Sequence, residues 1–345
     1  MTLHSVLGWP KLMRSVLLLL CVSFKATFAS PAFYVIGEDY LLFSDSTGFT
    51  QLEEGLSLRT WALDSKECRL WATSQENNQL LAFVKGKKVQ AIGLQGRILS
   101  DFNQGLFATA SGESQIQLRN KGGKVVKKFG FDESALLKQM ILLSSGETWS
   151  LIAKKTGELS LIRLDTNGKE LKRVVLNSTD EFWGNARFFI DEIRDRIWVG
   201  YSSRSPHYAY APLVEKLSLS GEKQGFYQWD ERGFFFDGCV DSSGDFILAR
   251  DLPTSPYTVP DYSFLEKIQA SSQKEIQTER FLELETNRLV DSLACNAKGL
   301  FLATHSIFGS EPKQVLYGSE NPKEPLQEIV KLPSRALKIL LCTEN

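Results

Sequence analysis

Between Phe33 and Cys342 short apolar runs alternate with polar or glycine turns, and the alternation itself repeats. The clearest unit spans residues 138–177. KQMILLSS is a first strand turned by Ser145-Gly146, and TWSLIAKK follows as the second. ELSLIRLD is the third, and Thr166-Asn167-Gly168 turns it into KELKRVVL, the fourth. Asn-Gly between two strand-like runs is a strong hairpin signal, because the tight turn needs positive φ. Leu151, Leu159, Leu161 and Leu164 make the two middle strands apolar enough to be buried between neighbouring units.

The third-to-fourth turn recurs at Thr47-Gly48, Lys85-Gly86, Lys121-Gly122-Gly123 and Ser220-Gly221. The first-to-second turn recurs at Gln104-Gly105, Ser243-Gly244 and Lys298-Gly299, and Cys68 and Asp195 stand where the matching segments would carry glycine. Units of four strands at spacings of roughly 38–50 residues predict an all-β, seven-bladed β-propeller with four antiparallel strands per blade. Its inner strands are expected at 58–63, 97–102, 139–144, 187–192, 235–241, 289–295 and 336–342. The last of these has no partners behind it, while AFYVIG, DYLLFS and FTQLEE open the repeat region without a first strand. The C-terminal strand therefore joins three N-terminal strands in one closing blade, which removes open sheet edges. Residues 30–345 read as a single domain. The rival reading, a β-sandwich or two smaller β domains, lacks the Pro/Ser-rich linker it would need.

The repeat resembles the broad propeller superfamily that contains the NHL, YVTN and WD-repeat proteins. The likeness covers nearly all of 33–342 and rests on apolar-Ser-Ser-Gly turns and apolar-x-Asn-Gly hairpins. Regular Gly-His and Trp-Asp pairs are missing. Members of this superfamily include scaffolds, sugar binders, lactonases and lyases, so the resemblance implies the fold and no single activity.

Residues 1–29 read as a secretory signal: Lys11 and Arg14 flank the apolar run Val16–Phe24, and Thr27-Phe28-Ala29 precede the expected cleavage point. A periplasmic or secreted protein follows. The run is too short to span a bilayer, and no transmembrane segment is expected elsewhere. Without Lys11, Arg14 and Lys25 the 40 basic residues become 37, against 41 acidic, for a net charge of −4. That balance speaks against nucleic acid as a partner. Four cysteines remain, Cys68, Cys239, Cys295 and Cys342, on or just after inner strands. In an exported chain they suggest disulfides. Cys68–Cys342 with Cys239–Cys295 is the preferred pairing. Cys295–Cys342 is the rival, and four buried thiols are the unbonded alternative.

Second-to-third loops and blade connections share one face of a propeller. On blades four, five and six these loops are long, at 202–212, 250–262 and 304–313, beside the connections 177–187 and 229–236. They carry Trp183, His207, Tyr208, Tyr210, Trp229, Arg232, Tyr257, Tyr262, His305 and Phe308. Amphipathic aromatics of this kind suit protein interfaces and sugar faces. The expected function is accordingly an exported, monomeric binding module for an envelope or extracellular protein, or a glycan.

A second candidate is a basic mouth to the central channel. Arg59, Arg97, Lys138, Arg187, Arg288 and Arg335 stand at or beside the starts of six inner strands. Facing inward they would receive a carboxylate, phosphate or sulfated group; facing outward they would be solvated or paired. Catalytic signals are sparse. No Gly-x-Ser-x-Gly, His-Glu-x-x-His or phosphate-binding glycine loop is present. No cofactor is called for, and Cys-x-x-Cys metal spacing is absent. The alternative function is a channel-centred hydrolase or lyase, either His-assisted through His207 or His305 with Asp251, Asp261 or Glu311, or metal-dependent as in lactonase-like propellers. Asp64, Asp101, Asp191, Glu192, Asp241 and Asn296 lie at the far ends of the inner strands. They are expected to be turn residues rather than a ligand ring, because their offsets from the turns differ.

Overall fold

A strand buried on both faces reads as an unbroken apolar run, whereas an outer strand with one wet face alternates. Both patterns hold in the computed structural model, which describes residues 31–54, 58–74, 78–93, 96–111, 115–130, 136–154, 156–176, 186–203, 211–229, 233–252, 262–269, 278–284, 288–296, 299–306, 314–319 and 325–343. The second strand of blade three, Thr148–Ala153, is buried at every position. The fourth strand of blade two, Val125–Gly130, alternates half-buried with exposed. The leader expected at 1–29 lies outside the described residues.

Antiparallel four-stranded blades follow one another along the chain: one at 58–93, two at 97–130, three at 136–175, four at 187–228, five at 235–283 and six at 288–332. The seventh is built from both ends. Ala336–Leu341 pairs antiparallel with Phe33–Gly37, matching Phe33 to Leu341 and Val35 to Ile339. Tyr40–Asp45 and Gly48–Glu54 complete it.

The core lies between blades. Buried apolar side chains form seven clusters among the described residues, each shared by two neighbours in the ring. Leu151, Leu159 and Leu161 pack toward blade four, and Leu164 toward blade two. Trp71 stacks on Phe107 between blades one and two, and Trp198 on Phe246 between blades four and five, with ring centroids 5.7 and 5.5 Å apart. Each fully buried side chain of this size contributes about 1.5–3 kcal/mol, so the hydrophobic stability is spread round the whole ring.

The turn glycines serve the same packing. Gly168 has φ +84°, and a Cβ there would meet the Phe129 ring of blade two at 2.6 Å. The residue must be both left-handed and bare, because the next blade closes over it. Cys68 and Asp195, standing in for glycine, do adopt left-handed φ of 50° and 53°.

Blade two departs from expectation. Its inner strand, predicted over 97–102, keeps a regular ladder only at Arg97–Ile98, with one further bond from Leu99 N to Ala108 O at 2.9 Å. Ser100 Oγ accepts from the Ala108 amide at 2.8 Å in place of a backbone carbonyl. The chain then bonds sideways: Leu99 O accepts from Met140 N of blade three at 2.9 Å, and Phe102 N donates to Leu63 O of blade one at 3.3 Å. The segment is shared by three blades instead of completing one.

Two disulfides cross between blades. Cys68–Cys342 ties the turn of blade one to the end of the closing strand, and Cys239–Cys295 joins the inner strands of blades five and six.

Gly168→Ala should destabilise more than Gly105→Ala in urea unfolding. Each incurs a left-handed strain of roughly 1–2 kcal/mol, but the Cβ at Gly105 meets only the flexible Lys121 side chain, at 3.5 Å. Equal losses would show that blade-to-blade closure does not constrain Gly168. Removing the Cys68–Cys342 bond, which spans 274 residues, should lower stability by up to about 5 kcal/mol on the loop-entropy model. A Cys342→Ser variant whose urea midpoint matched the wild type would contradict that.

Candidate functional site

An inner strand pairs on one side with its own blade and turns its other edge toward a neighbour. In blades one, three, five, six and seven the pairing register shifts by one residue near the start of this strand, at Arg59, Lys138, Phe236, Asp291 and Leu337. A bulge of this kind re-aims the residue that follows it. The following residues are Thr60, Gln139, Asp237, Ser292 and Lys338. Arg97 and Arg187, which open the inner strands of blades two and four, occupy the equivalent place.

This layer links each blade to the next. Thr60 Oγ1 accepts from Ile98 N at 2.8 Å, and the Arg97 guanidinium donates to Leu137 O. The Gln139 amide donates to Phe188 O and accepts from Phe188 N, both at 3.0 Å. Arg187 Nη1 donates to Asp237 Oδ1 at 2.9 Å, and Asp237 Oδ2 accepts from Leu293 N at 3.1 Å. Ser292 Oγ accepts from Ile339 N at 3.1 Å. Lys338 Nζ of blade seven reaches back across the axis to Asp237 Oδ2 of blade five at 2.6 Å.

Asp237 is the hub. Its side chain is fully buried and touches both Arg187 and Lys338. Burial alone would raise its pKa, but the two cations and the Leu293 amide outweigh that and hold it below the ordinary carboxylate value. Lys338 is also held below a free lysine: burial and the nearby Arg187 lower its pKa despite Asp237.

Four residues beyond Thr60, Arg97, Arg187, Asp237 and Ser292 stand Asp64, Asp101, Asp191, Asp241 and Asn296, while Leu143 and Cys342 hold that place in blades three and seven. The role expected for them holds for three. Asp64, Asp191 and Asp241 accept from the turn amides of Glu67, Arg194 and Ser243. Asp101 instead receives Leu63 N of blade one at 3.0 Å, and desolvation by the channel wall raises its pKa. Glu192 accepts from Ser144 N at 2.9 Å, joining blades three and four.

These strands enclose a channel cavity of about 750 Å³. Arg59, Lys138 and Arg187 line it, together with Lys338, which sequence reasoning missed. The signal was a lone charge within the apolar run ALKILLC. Arg97 points instead to the neighbouring carbonyl. Arg335 and Arg288 sit before the bulge and are not part of this wall. Arg335 Nε donates to the buried Asp291 at 2.6 Å, and Arg288 reaches Thr304 Oγ1 at 3.2 Å. His305 Nδ1 lies 2.9 Å from Asp291 Oδ1. The acid beside this histidine is thus Asp291. Asp251 is buried and accepts from the Phe234 amide, while Asp261 and Glu311 lie outside the described residues.

Trp183, His207, Tyr208, Tyr210, Arg232, Tyr257 and Phe308 also lie outside the described residues, as does the side chain of Tyr262, whose backbone opens the third strand of blade five. Trp229 is a correction. It is 4% exposed, donates to Glu266 Oε2 at 2.6 Å and lies under Arg250, so it is core rather than loop surface. Among the described residues no group of three or more His, Cys, Asp or Glu side chains is placed to hold a metal.

Asp237→Asn leaves Arg187 and Lys338 without their carboxylate and should cost about 3–5 kcal/mol in urea unfolding. The Asp237→Asn/Lys338→Met double variant should recover part of that. Because the folded pKa of Asp237 is depressed, its contribution is complete above the unfolded carboxylate pKa of about 3.9. It is lost as pH falls through the lower folded value. The gap between wild type and Asp237→Asn should therefore narrow only in acid; a gap that stayed constant down to acid unfolding would contradict the ion-pair reading.

No protein-family model matches the chain, and no curated protein matches it. Solved structures do. A functionally unknown protein from Desulfotomaculum acetoxidans aligns with TM-score 0.59 and 12% identity over 92% of this chain and 100% of its own. The β-propeller domain of Cps50 (Swd1) from Myceliophteria thermophila gives 0.55 and 11% over 83% and 96%. The WD40 propeller domain of Doa1 gives 0.54 and 13% over 79% and 86%. At these identities the likeness is one of fold, and together with the seven four-stranded blades it identifies the protein as a seven-bladed β-propeller whose structural neighbours include WD40 domains.

Proposed function

We propose that the protein is an exported, monomeric binding module, periplasmic or secreted, that holds another protein or a glycan on the loop face of blades four to six. One observation carries this reading. On three consecutive blades the second and third strands stop well short of one another at the same face. The second strands end at Ser203, Leu252 and Ser306, and the third strands resume at Ala211, Tyr262 and Gln314. The same connection in blade seven has only residues 38–39 between its strands. Long loops carrying Tyr208, Tyr210 and Tyr257, beside the blade connection that carries Trp183, therefore spring from rigid strand ends on one sector of the ring, and a rigid base lowers the ordering cost of binding.

Export is supported by the two disulfides, which persist in an oxidising compartment, and by the apolar leader at 1–29. No helix of the described residues is long and apolar enough to cross a membrane. β-Propellers commonly serve as protein-interaction platforms, the use to which the structural likeness points.

Affinity capture from a native envelope extract tests the reading. A partner held by the wild type and lost by Trp183→Ala/Tyr208→Ala/Tyr257→Ala, with the thermal midpoint unchanged, is the expected result. A partner held equally by both proteins would rule the loop face out. His305, braced by the buried Asp291, keeps a His-assisted hydrolase as the second reading; loss of a measured hydrolysis in His305→Ala with unchanged folding would favour it.

A further inference from the structure

We infer that the channel holds a second, separate binding site, for an amphipathic organic anion: a carboxylate or phosphate ester carried on an apolar body. The inference does not rest on the loop face. Arg59, Lys138, Arg187 and Lys338 come from blades one, three, four and seven and line one cavity. They sit at or just before the bulge-defined layer, so they crowd one end of the channel.

Four cations line the cavity, and the described carboxylates around them are three, Asp237, Asp101 and Glu192. Asp237 is shared by Arg187 and Lys338, two cations on one carboxylate. Arg59 is exposed and has no ion-pair partner among the described residues. Lys138 lies near Arg97, and burial together with that neighbour lowers its pKa. The lining carboxylates, Asp101 and Glu192, lie four or five residues further along their own strands, and Asp101 is near enough to interact with Lys338. Both already accept amide N–H groups.

Between the two ends the wall is apolar and only partly covered. Trp61, Ile141, Phe189 and Val240 line the cavity and are half-buried. A volume of about 750 Å³ falls within the range of ligand pockets, which pair apolar walls with a few charged groups. Inorganic anions would use the cations and leave the aromatic wall wet. An apolar body with an anionic head satisfies both, and charge-assisted hydrogen bonds to arginine and lysine are strong in a channel of lowered dielectric.

Calorimetric titration of the disulfide-intact protein tests this with 2-naphthoate, 2-naphthyl phosphate, 2-naphthalenemethanol and inorganic phosphate. At least one of the two naphthyl anions should bind at least about tenfold more tightly than the neutral alcohol and than inorganic phosphate. Which one binds better distinguishes a carboxylate head from a phosphate ester. Arg59→Met/Lys138→Met should weaken the anion by about tenfold or more and leave the alcohol unchanged. The single variants Arg59→Met and Lys138→Met stand in if the double variant fails to fold. The Trp183→Ala/Tyr208→Ala/Tyr257→Ala variant should bind the anion as the wild type does. No binding of either anion, equal binding of anion and alcohol, inorganic phosphate binding as well as the naphthyl anions, or loss of affinity in the loop variant would overturn the proposal.

Discussion

The inner strand of a blade is a sheet edge placed in the middle of the molecule. Its second strand satisfies one side, and the other side faces a neighbouring blade that supplies no fifth strand. Buried amides left there would each cost a full desolvation penalty of about 1–3 kcal/mol. This protein meets the constraint with a bulge and the side chain after it: Thr60, Gln139, Asp237 and Ser292 each take an amide of the next inner strand. The ring is thereby held by directional bonds near the axis and by shared apolar clusters further out. Arg97, Arg187 and Lys338 occupy the equivalent places and bond a neighbouring carbonyl or Asp237 instead.

Asp237 gathers more of this circuit than any other residue in the layer. It binds cations from blades four and seven and an amide from blade six, so it joins four blades, its own included, at the axis. Nearby, Cys239–Cys295 joins the inner strands of blades five and six, and Cys68–Cys342 clamps the closing strand to blade one. The seam where the chain's two ends meet is thus held by a disulfide, by the Lys338–Asp237 pair and by the ladder between Ala336–Leu341 and Phe33–Gly37. A closed ring has no weak edge only if its last strand stays in place, and one disulfide and one buried ion pair act on that strand.

Much of the architecture was legible because it rests on local signals. Asn167-Gly168 announces a hairpin, LSLIRL announces a strand buried on both sides, and the missing first strand before Phe33 answers the orphan strand after Arg335. The site was less legible. Arg59, Arg97 and Arg288 look alike in sequence, each at the start of an inner strand. One lines the channel, one binds a neighbouring carbonyl and one reaches Thr304. A bulge shifts register by a single residue, and in a strand one residue turns a side chain to the opposite face. Trp229 was misplaced for a related reason: an aromatic beside a loop reads as surface unless its partners, here Glu266 and Arg250, are known.

By itself the sequence determined the strand count, the turns, the closure and the four cysteines, because alternation, left-handed turns and strand number are properties of neighbouring residues. Tertiary structure alone decided which cysteines bond, which of six basic residues face the channel, that Lys338 joins them, and that Asp291 stands beside His305. Those facts depend on how residues on different strands and blades are brought together, and a one-residue bulge or a shared three-blade segment such as Leu99–Phe102 changes them without leaving any mark on local pattern.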